Sequence, residues 1–241
     1  MRIIVNGACG CMGRELIRLI GEDPRLELAA KVDAKGDGAE VLTELVKAPE
    51  ADAIIDFSHH SAVCALLDAA EARSCPVVIA TTGHDAAELD RIRAAAERIP
   101  VFYSGNMSVG VAQLCRMARE TARLFPEADI EIVETHHKHK ADAPSGTAKM
   151  LFNAVKEVRP EAEMVCGRSG MQPRTPGEIG VHSLRMGEVV GVHEVHISSP
   201  SQSLTLRHEA HSRSLFAEGA LCAAEFLMHR EPGLHDMKSL L

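Results

Sequence analysis

The first hundred residues alternate short apolar runs with stretches of helical periodicity. Apolar runs bounded by turn residues predict strands, and apolar residues spaced three or four apart predict helices. Such alternation indicates βαβ units around a parallel sheet with right-handed crossovers. The predicted strands are residues 2–6, 28–33, 53–58, 77–82 and 101–104, and the predicted helices are 12–21, a weaker segment near 39–46, 61–73 and 86–98.

The pattern changes after residue 107. A predicted helix over 109–124 leads into an alternating run at 130–137, and another helix extends from Gly146 to about residue 158. Three consecutive strand-length runs follow a loop at 167–177, and short connections of this kind favour an antiparallel or mixed sheet. These runs are 179–186, 189–198 and 203–209, followed by an apolar helix at 215–229. We predict an α/β fold class: a Rossmann-like parallel-sheet dinucleotide-binding domain over 1–107, then an α+β domain with an open mixed sheet.

Three glycines lie between the first predicted strand and the first predicted helix. Gly7, Gly10 and Gly13 form G-x-x-G-x-x-G, which departs from G-x-G-x-x-G because position 9 is Cys. Glycine lets the backbone turn tightly and approach a pyrophosphate, whose charge the helix-opening amides bind. Asp33 ends the second predicted strand, where an acid accepts hydrogen bonds from an adenosine ribose. The order of strand, loop, helix and acid favours dinucleotide binding over a purely structural turn.

Asp33 also bears on cofactor choice. Its carboxylate should repel a ribose 2′-phosphate, and Ala34 supplies no guanidinium, although nearby Lys35 weakens the argument. We therefore expect NADH to be preferred over NADPH. Two later strand ends, residues 80–83 and 104–107, are rich in small residues that would admit a nicotinamide ring at the carboxyl ends of a parallel sheet. Ordinary turn chemistry explains these two segments equally well.

Residues 136–140 place three histidines and two lysines within five positions of a chain whose formal net charge is −8. The segment could be a metal site, a solvated basic loop or a catalytic anion site. Lys138 and Lys140 would oppose a cation, and no H-E-x-x-H pattern supports one, so no metal is expected. The following turn, 142–147, supplies hydroxyls and helix-opening amides that can bind a carboxylate while an imidazole or ammonium group delivers a proton. The catalytic anion site is therefore favoured.

The amino-acid composition limits the classes of partner that the protein is expected to bind. Aromatic residues make up 3% of an acidic chain, which argues against nucleic-acid binding. No apolar run is long enough to span a membrane. The seven cysteines lack any C-x-x-C pair, which indicates reduced thiols in a cytoplasmic protein, and Cys9 and Cys11 are more simply small residues in a tight loop than redox groups. His193 and His196 fall on opposite faces of a predicted strand, and either fits a surface or core position.

Several motifs occur in one order along the chain. They are G-A-C-G-C-M-G-R at 7–14, A-T-T-G at 80–83, G-N-M-S-V-G-V at 105–111, E-T-H-H-K-H-K-A-D-A-P-S-G-T-A at 134–148, G-R-S-G at 167–170, R-M-G-E-V-V-G at 185–191, H-E-A-H-S-R at 208–213 and F-A-E-G-A-L at 216–221. Together they resemble the 4-hydroxy-tetrahydrodipicolinate reductase family over nearly the whole chain. The family's usual G-T-T is A-T-T here, a change that should preserve the backbone contact.

The resemblance implies NAD(P)H-dependent reduction of 4-hydroxy-tetrahydrodipicolinate to tetrahydrodipicolinate in lysine and diaminopimelate biosynthesis, with hydride added at C4 and water lost. It implies that His136 is the proton donor or acceptor and that Lys140 is a second donor that also contacts the substrate. The remaining substrate-binding residues would be His137, Ser145, Gly146 and Thr147. The cofactor-binding residues would be Gly7, Ala8, Cys9, Gly10, Cys11 and Met12 for the pyrophosphate, Asp33 for the ribose, and Ala80, Thr81, Thr82, Ser104, Gly105, Asn106 and Met107 on the nicotinamide side.

The resemblance also implies an assembly. The family is typically a homotetramer built through the sheet of the second domain, here the strands within 179–209. The last helix is expected to return to the dinucleotide-binding domain, so that residues 215–241 join 1–107 and the substrate-binding and oligomerisation domain covers 108–214. Two alternatives remain open: a small NAD-dependent dehydrogenase acting on another amino or hydroxy acid, and a non-catalytic NADH-sensing or scaffold protein.

Overall fold

The computed structural model describes residues 1–36 and 40–241. The described chain divides into two compact units. The N-terminal unit comprises Met1–Val109 and Arg213–Leu241, and the central unit comprises Gly110–Ser212. None of the described helices combines the length and apolar character needed to cross a membrane.

The strands and helices are short and regular. Two single-turn 3₁₀ helices, Leu45–Lys47 and His60–Ala62, accompany them. The strands in chain order are β1 Arg2–Asn6, β2 Glu27–Val32, β3 Val41–Leu42, β4 Ala53–Asp56, β5 Val77–Ile79, β6 Pro100–Tyr103, β7 Asp129–His136, β8 Glu163–Cys166, β9 Glu178–Arg185, β10 Gly191–Ser199, β11 Gln202–Ala210 and β12 Gly233–His235. The helices are α1 Cys11–Glu22, α2 Val63–Ala72, α3 Ala86–Ala96, α4 Val109–Leu124, α5 Gly146–Lys156 and α6 Ser214–Leu227.

The N-terminal unit is built on a seven-stranded sheet in the order β12-β6-β5-β4-β1-β2-β3, with all neighbouring pairs parallel. The inner strands are apolar on both faces, and Ile3, Ile54 and Val77 are fully buried. Continuous apolar runs of this kind are typical of a parallel sheet covered by helices on both sides. The predicted Rossmann-like class is therefore confirmed.

The central unit is built on a five-stranded sheet in the order β11-β10-β7-β9-β8. Strand β7 pairs in parallel with β9 and antiparallel with β10, so the sheet is mixed, as predicted. Its core forms where the inward face of β7 meets the apolar faces of two helices, since Ile132, Leu114 of α4 and Leu151 of α5 are all buried in one cluster. This packing fixes β7, whose last residue, His136, begins the cationic segment, residues 136–140.

Three details differ from the predictions. The weak helix predicted near 39–46 is wrong, because Val41 and Leu42 pair with β2 as an edge strand and only a 3₁₀ turn follows; residue 39 lies outside the described residues. Strands β8 and β12 are absent from the predictions, and both are short. Strand β12 forms by pairing with β6, which is distant in sequence, so no local pattern reveals it. The strands predicted over 53–58 and 77–82 end at 56 and 79, so residues 57–59 and 80–82 leave the sheet as loops.

Candidate active site

The glycine loop is fastened to the end of β2. Gly7 has φ +82°, and a Cβ there would lie 2.5 Å from the Phe57 carbonyl oxygen, so only glycine fits. The amides of Gly7 and Ala8 both donate to the Val32 carbonyl oxygen, at 2.9 and 3.1 Å. These two amides are therefore used in holding the loop. The first turn of α1, residues 11–13, has amides with no intrahelical acceptor, which is where a helix binds an anion.

Asp33 is held in place by the same loop. One carboxylate oxygen accepts from the Cys9 amide and the other from the Lys35 amide, each at 3.0 Å. Asp33, Ala34 and Lys35 line a cavity of about 1220 Å³ together with the glycine loop. Because each oxygen keeps a lone pair, the fixed carboxylate can still accept hydrogen bonds from a ribose.

A second cavity of about 450 Å³ brings the glycine loop together with the loop after β5. It is lined by Gly10, Cys11, Met12, Phe57, Ser58, His59, His60, Ala80, Thr81 and Thr82. Residues 104–107 line neither of these two cavities. These residues form a turn held by its own hydrogen bonds. The Ser104 hydroxyl donates to the Asn106 carbonyl oxygen at 2.8 Å, and the Asn106 side chain accepts from the Ser108 amide at 2.9 Å.

A buried carboxyl supports these loops. Asp56, 1% exposed, accepts hydrogen bonds from Asn6 Nδ2 at 2.7 Å, Ser58 Oγ at 2.6 Å and Thr81 Oγ1 at 2.7 Å. Burial raises the pKa of Asp56, and the three side-chain hydrogen bonds act against that shift. The Thr81 hydroxyl is therefore used inside the unit, although Thr81 also lines the second cavity. The predictions missed Asn6 and Asp56, although a polar residue ending an apolar run at both positions was a usable signal.

The glycine loop gives a first testable expectation. A Cβ at Gly13 would overlap the Gly7 carbonyl oxygen, whereas a Cβ at Gly21, on the same helix, would meet nothing within 4 Å. Gly13→Ala should cost about 1–3 kcal/mol of stability through overpacking and weaken NADH binding, because the loop must shift. Gly21→Ala should weaken neither. Thermal melts and NADH titrations of the two variants make the comparison, and equal behaviour would contradict the proposed crowding.

In the central unit, the inward face of β7 changes from apolar to polar along the strand. Ile130 and Ile132 lie in the core, and Glu134 and His136 continue the same face because side chains alternate along a strand. The two neighbouring strands make the same change at the same level. The register pairs Glu134 with Ser183 of β9 and His193 of β10, and His136 with Arg185 of β9.

Glu134 is the centre of the resulting cluster. Its side chain is 0% exposed, and each of its two oxygens accepts at least two hydrogen bonds. Oε1 accepts from the Ser145 amide at 3.1 Å and from Arg185 at 2.8 Å. Oε2 accepts from Arg185 at 2.9 Å and lies 2.5 Å from His136 Nδ1. A fully buried carboxylate is tolerated here because a guanidinium fork, an imidazole and an amide replace its water.

The charges of the cluster follow from its burial and its partners. Burial alone would raise the pKa of Glu134, but hydrogen bonds from Arg185, Ser183 and His136 outweigh burial and bring the pKa to about 2. Burial lowers the pKa of His136, with Glu134 acting against that shift. Burial also lowers the pKa of His193, to about 4, so His193 is neutral at pH 7. The cluster thus holds one fixed anion beside an imidazole that can change its charge.

Ser145 joins the helix α5 to this cluster. It is the N-cap of α5, where its hydroxyl accepts from the Ala148 amide at 3.2 Å, and the same oxygen lies 3.1 Å from His193 Nε2. Gly146 and Thr147 are the first two residues of the helix. The helix N-terminus, with its partial positive charge, therefore begins beside Glu134 and His193.

The cationic segment divides into two parts. Lys138 and His139 are exposed, and both lie near Glu188, at 3.1 and 3.9 Å. Lys140 is more buried, with a side chain 23% exposed, and its ammonium group pairs with Asp142 at 2.7 Å. His137 is half-buried, and its Nδ1 has no hydrogen-bond partner among the described residues. Of the five side chains at 136–140, all of them described, His136 alone belongs to the buried cluster.

Three possible metal-ligand atoms converge in the cluster, since Glu134, His136 and His193 each offer one and these atoms lie within 4.8 Å of one another. Both Glu134 oxygens already accept two hydrogen bonds, and the Arg185 guanidinium lies against the same carboxylate. Binding of a metal ion would break these hydrogen bonds to Glu134 and would place the ion beside the positive charge of Arg185. The arrangement therefore favours proton chemistry over metal binding. The sequence motifs give no role to Glu134 or Arg185 and leave His193 open between a surface and a core position, although an acid two residues before His136 on a strand is a usable signal.

Comparison with known proteins identifies the family. Residues 1–107 match the family model described as dihydrodipicolinate reductase, N-terminus, and residues 110–241 match dihydrodipicolinate reductase, C-terminus. A 4-hydroxy-tetrahydrodipicolinate reductase of Caldanaerobacter subterraneus subsp. tengcongensis is 43% identical over 246 residues, which cover 100% of this chain and 98% of the relative. One of Akkermansia muciniphila is 41% identical over 244 residues, which cover 99% of this chain and 97% of the relative.

A solved structure has the same fold. The dipicolinate-bound dihydrodipicolinate reductase from Paenisporosarcina sp. TG-14 superposes with a TM-score of 0.82 at 23% identity, covering 98% of this chain and 97% of that one. A parallel-sheet unit with a dinucleotide-type glycine loop, in a chain that matches two reductase family models, defines the class: an oxidoreductase with a domain of the type that binds a nicotinamide cofactor. The chain belongs to the dihydrodipicolinate reductase family, and the resemblance drawn from its motifs is confirmed.

Proposed function

We propose that the chain reduces 4-hydroxy-tetrahydrodipicolinate to tetrahydrodipicolinate with NADH or NADPH, adding hydride at C4 with loss of water. The observation that carries the proposal is a titratable imidazole, His136, at the end of β7. From there the chain passes through Lys140 to the N-terminus of α5. The named relatives are reductases of this substrate. The solved relative binds dipicolinate, a small dicarboxylate of the same chemical class.

The substrate carboxylates are assigned to the segment after β7. Lys140 supplies a mobile positive charge, because its present partner Asp142 has a side chain 58% exposed and can turn into solvent. Gly146 and Thr147 offer helix-opening positions suited to an anion, and His137 lies directly after the strand. Ser145 orients this helix start through its capping hydroxyl. Dicarboxylate binding thus rests on charge and on backbone donors together.

His136 is assigned the proton. Hydride addition leaves electron density on the substrate, and a proton must be delivered to balance it. His136 holds its Nδ1 against Glu134, so the other nitrogen, Nε2, is the atom that can give a proton to the substrate. Lys140 acts as a second donor and balances the negative charge of the bound dicarboxylate. In this scheme, His136 and Lys140 are the catalytic residues.

The cofactor is assigned to the N-terminal unit. The reduced nicotinamide, when bound, supplies the hydride. The first-turn amides of α1 at Cys11 and Met12 would hold the pyrophosphate, Asp33 would accept hydrogen bonds from the adenosine ribose, and the loop 80–82 lines the cavity shared with the glycine loop. The rest of the glycine loop (Gly7, Ala8, Cys9 and Gly10) shapes the site, and residues 104–107 remain proposed on the nicotinamide side. The sheet of the central unit is proposed to join four copies, as the family resemblance implies.

NADH should be the better cofactor because Asp33 is a fixed carboxylate. Asp33→Ser should lower kcat/KM for NADH by about tenfold or more, since a hydrogen bond to a charged group contributes about 1.5–3 kcal/mol, and it should shift the preference toward NADPH. Glu44→Ser is the matched control, because Glu44 is an acid that lines the same cavity but pairs with Lys47 at 2.6 Å. Equal kcat/KM for the two cofactors in the unmodified protein would contradict this assignment.

The function is tested by following NADH oxidation while the preceding synthase generates the substrate from pyruvate and aspartate semialdehyde. Turnover that requires the complete coupled system, with NADPH run in parallel, would support the proposal. Binding of NADH without turnover would favour a sensor, and turnover only with another amino or hydroxy acid would favour a different dehydrogenase. Isothermal titration with dipicolinate provides a separate measure of dicarboxylate binding.

A further inference from the structure

Glu134 is an unusual residue for its position. It continues a buried stripe that begins with Ile130 and Ile132, and burial of a carboxylate without partners is strongly unfavourable. Apart from His136 on the same strand, its hydrogen-bond partners come from other elements: β9 contributes Arg185, and the start of α5 contributes the Ser145 amide. Both lie outside β7, so their approach is fixed by the register and by helix packing. The burial of a charged carboxylate in the core, beside the proposed proton donor, therefore indicates a functional role for Glu134.

We propose that Glu134, held by Arg185, is the positioning residue that keeps the proton of neutral His136 on Nδ1 and orients Nε2 toward the substrate. The proposal rests on the proposed function of His136. A carboxylate at pH 7 only accepts hydrogen bonds, so the 2.5 Å contact with His136 Nδ1 requires that Nδ1 be the donor. Because the fork of Arg185 occupies both oxygens, the carboxylate cannot rotate away from the ring.

The second effect of Glu134 is on the charge of His136. An opposite charge within hydrogen-bond distance favours the imidazolium form, which is the form that donates a proton. The other groups facing this pair all act in the opposite sense or are neutral. Lys140 and Arg185 disfavour the imidazolium, as does burial, while His193 on β10 is neutral and His208 on β11 has a pKa lowered by burial. Glu134 is thus the anion that opposes the lowering of the His136 pKa by burial and by the neighbouring positive charges.

Other roles for Glu134 explain less of the geometry. If the residue served only to neutralise Arg185, its contact with His136 Nδ1 would not be needed. The imidazole ring of His136 is also fixed from its side, because it lies 5.1 Å from the His193 ring at a near-perpendicular angle. The His193 ring is tied in turn to the Ser145 hydroxyl at 3.1 Å. The orientation of the His136 ring is therefore determined by β7, β10 and the helix start together.

The test compares Glu134→Gln with the unmodified protein. Long-range ¹H–¹⁵N spectra report the tautomer of each imidazole, and the signals lost in His136→Ala assign His136. In the unmodified protein, neutral His136 should carry its proton on Nδ1. In Glu134→Gln, that preference should be lost, and the His136 pKa should fall by about one unit or more, because an opposite charge is removed. The alkaline limb of the kcat profile should move to lower pH by the same amount.

A matched control lies on the same strand. Glu131 is the acid of a second glutamate–histidine pair, with His182 Nε2 at 2.8 Å, and it also contacts Arg174. Glu131→Gln should leave the tautomer and the pKa of His136 and the kcat profile unchanged. Glu134→Asp, which retains the charge, should restore much of the His136 pKa that the glutamine variant loses. The aspartate variant also covers the case in which the glutamine variant fails to fold around an unpaired Arg185.

The outcomes separate the two proposals. An unchanged His136 tautomer and pKa in a folded Glu134→Gln protein would overturn the positioning role, whatever the activity. If Glu134→Gln changed the His136 tautomer but the unmodified protein showed no turnover of the proposed substrate, the proposed function would be overturned and the positioning role would stand. Failure of Glu134→Asp, when folded, to recover any of the lost pKa would also count against Glu134 as the source of the charge effect.

Discussion

Replacing His136 by alanine should lower kcat by about 10²–10⁴-fold, the usual contribution of a general acid, while leaving NADH affinity nearly unchanged. The rate falls because the proton that balances hydride addition loses its donor. The fold should survive, because Glu134 keeps the Arg185 fork and the Ser145 amide when the imidazole is removed. Steady-state kinetics with in situ substrate and a separate NADH titration measure the two quantities.

His139→Ala is the control for this experiment. His139 belongs to the same cationic segment, but its side chain is 68% exposed and lies 3.9 Å from Glu188. It should retain nearly full activity, since it belongs to the exposed part of the segment. A His136→Ala enzyme whose kcat stays within about threefold of the unmodified value would rule out His136 as the principal acid.

Replacing Lys140 by alanine should lower kcat/KM by about 10- to 150-fold, with a rise in KM as well as a fall in kcat. The magnitude follows from the loss of about 1.5–3 kcal/mol, which is typical of a hydrogen bond to a charged group. Both parameters should change because one ammonium group is proposed to bind a substrate carboxylate and to supply a proton. Increasing salt should weaken substrate binding less in the variant, because the screened charge is missing.

Lys138→Ala is the matched lysine variant. Lys138 lies two residues earlier and pairs with exposed Glu188 at 3.1 Å, an arrangement that contributes little to binding or stability. Its kinetics should match those of the unmodified enzyme. If Lys140→Ala changed kcat alone and left KM untouched, the carboxylate contact would be wrong while a role in proton supply would stand.

Local patterns predicted most of the elements correctly. The glycine loop, the alternating strands and the helices observed at 86–96 and 109–124 follow from periodicity and turn residues. The elements missed are those without a local pattern. β3 and β12 are two and three residues long, and each exists because a neighbouring strand offers hydrogen bonds. The helix predicted near 39–46 fails for the same reason, because the edge of β2 competes with a weak helical propensity.

The candidate site shows the same division. The cationic segment and the Pro-Ser-Gly-Thr turn are adjacent in sequence, so His136, Lys140 and Ser145 could be selected from the chain alone. Arg185 and His193 lie about fifty residues away, and their partnership with Glu134 depends on the register of three strands. A shift of one residue would turn every one of these side chains to the opposite face of the sheet.

The sequence by itself determined the family, the class of fold and the residue types available for proton transfer and anion binding, because these depend on short segments whose order is fixed by the chain. Only the tertiary structure decided which charged groups are buried and which groups they contact. It buried Glu134, placed Arg185 and the Ser145 amide on its oxygens, and paired Lys140 with Asp142. Burial and hydrogen-bond partners set the pKa of a group, and both are properties of strands and helices brought together from distant parts of the chain.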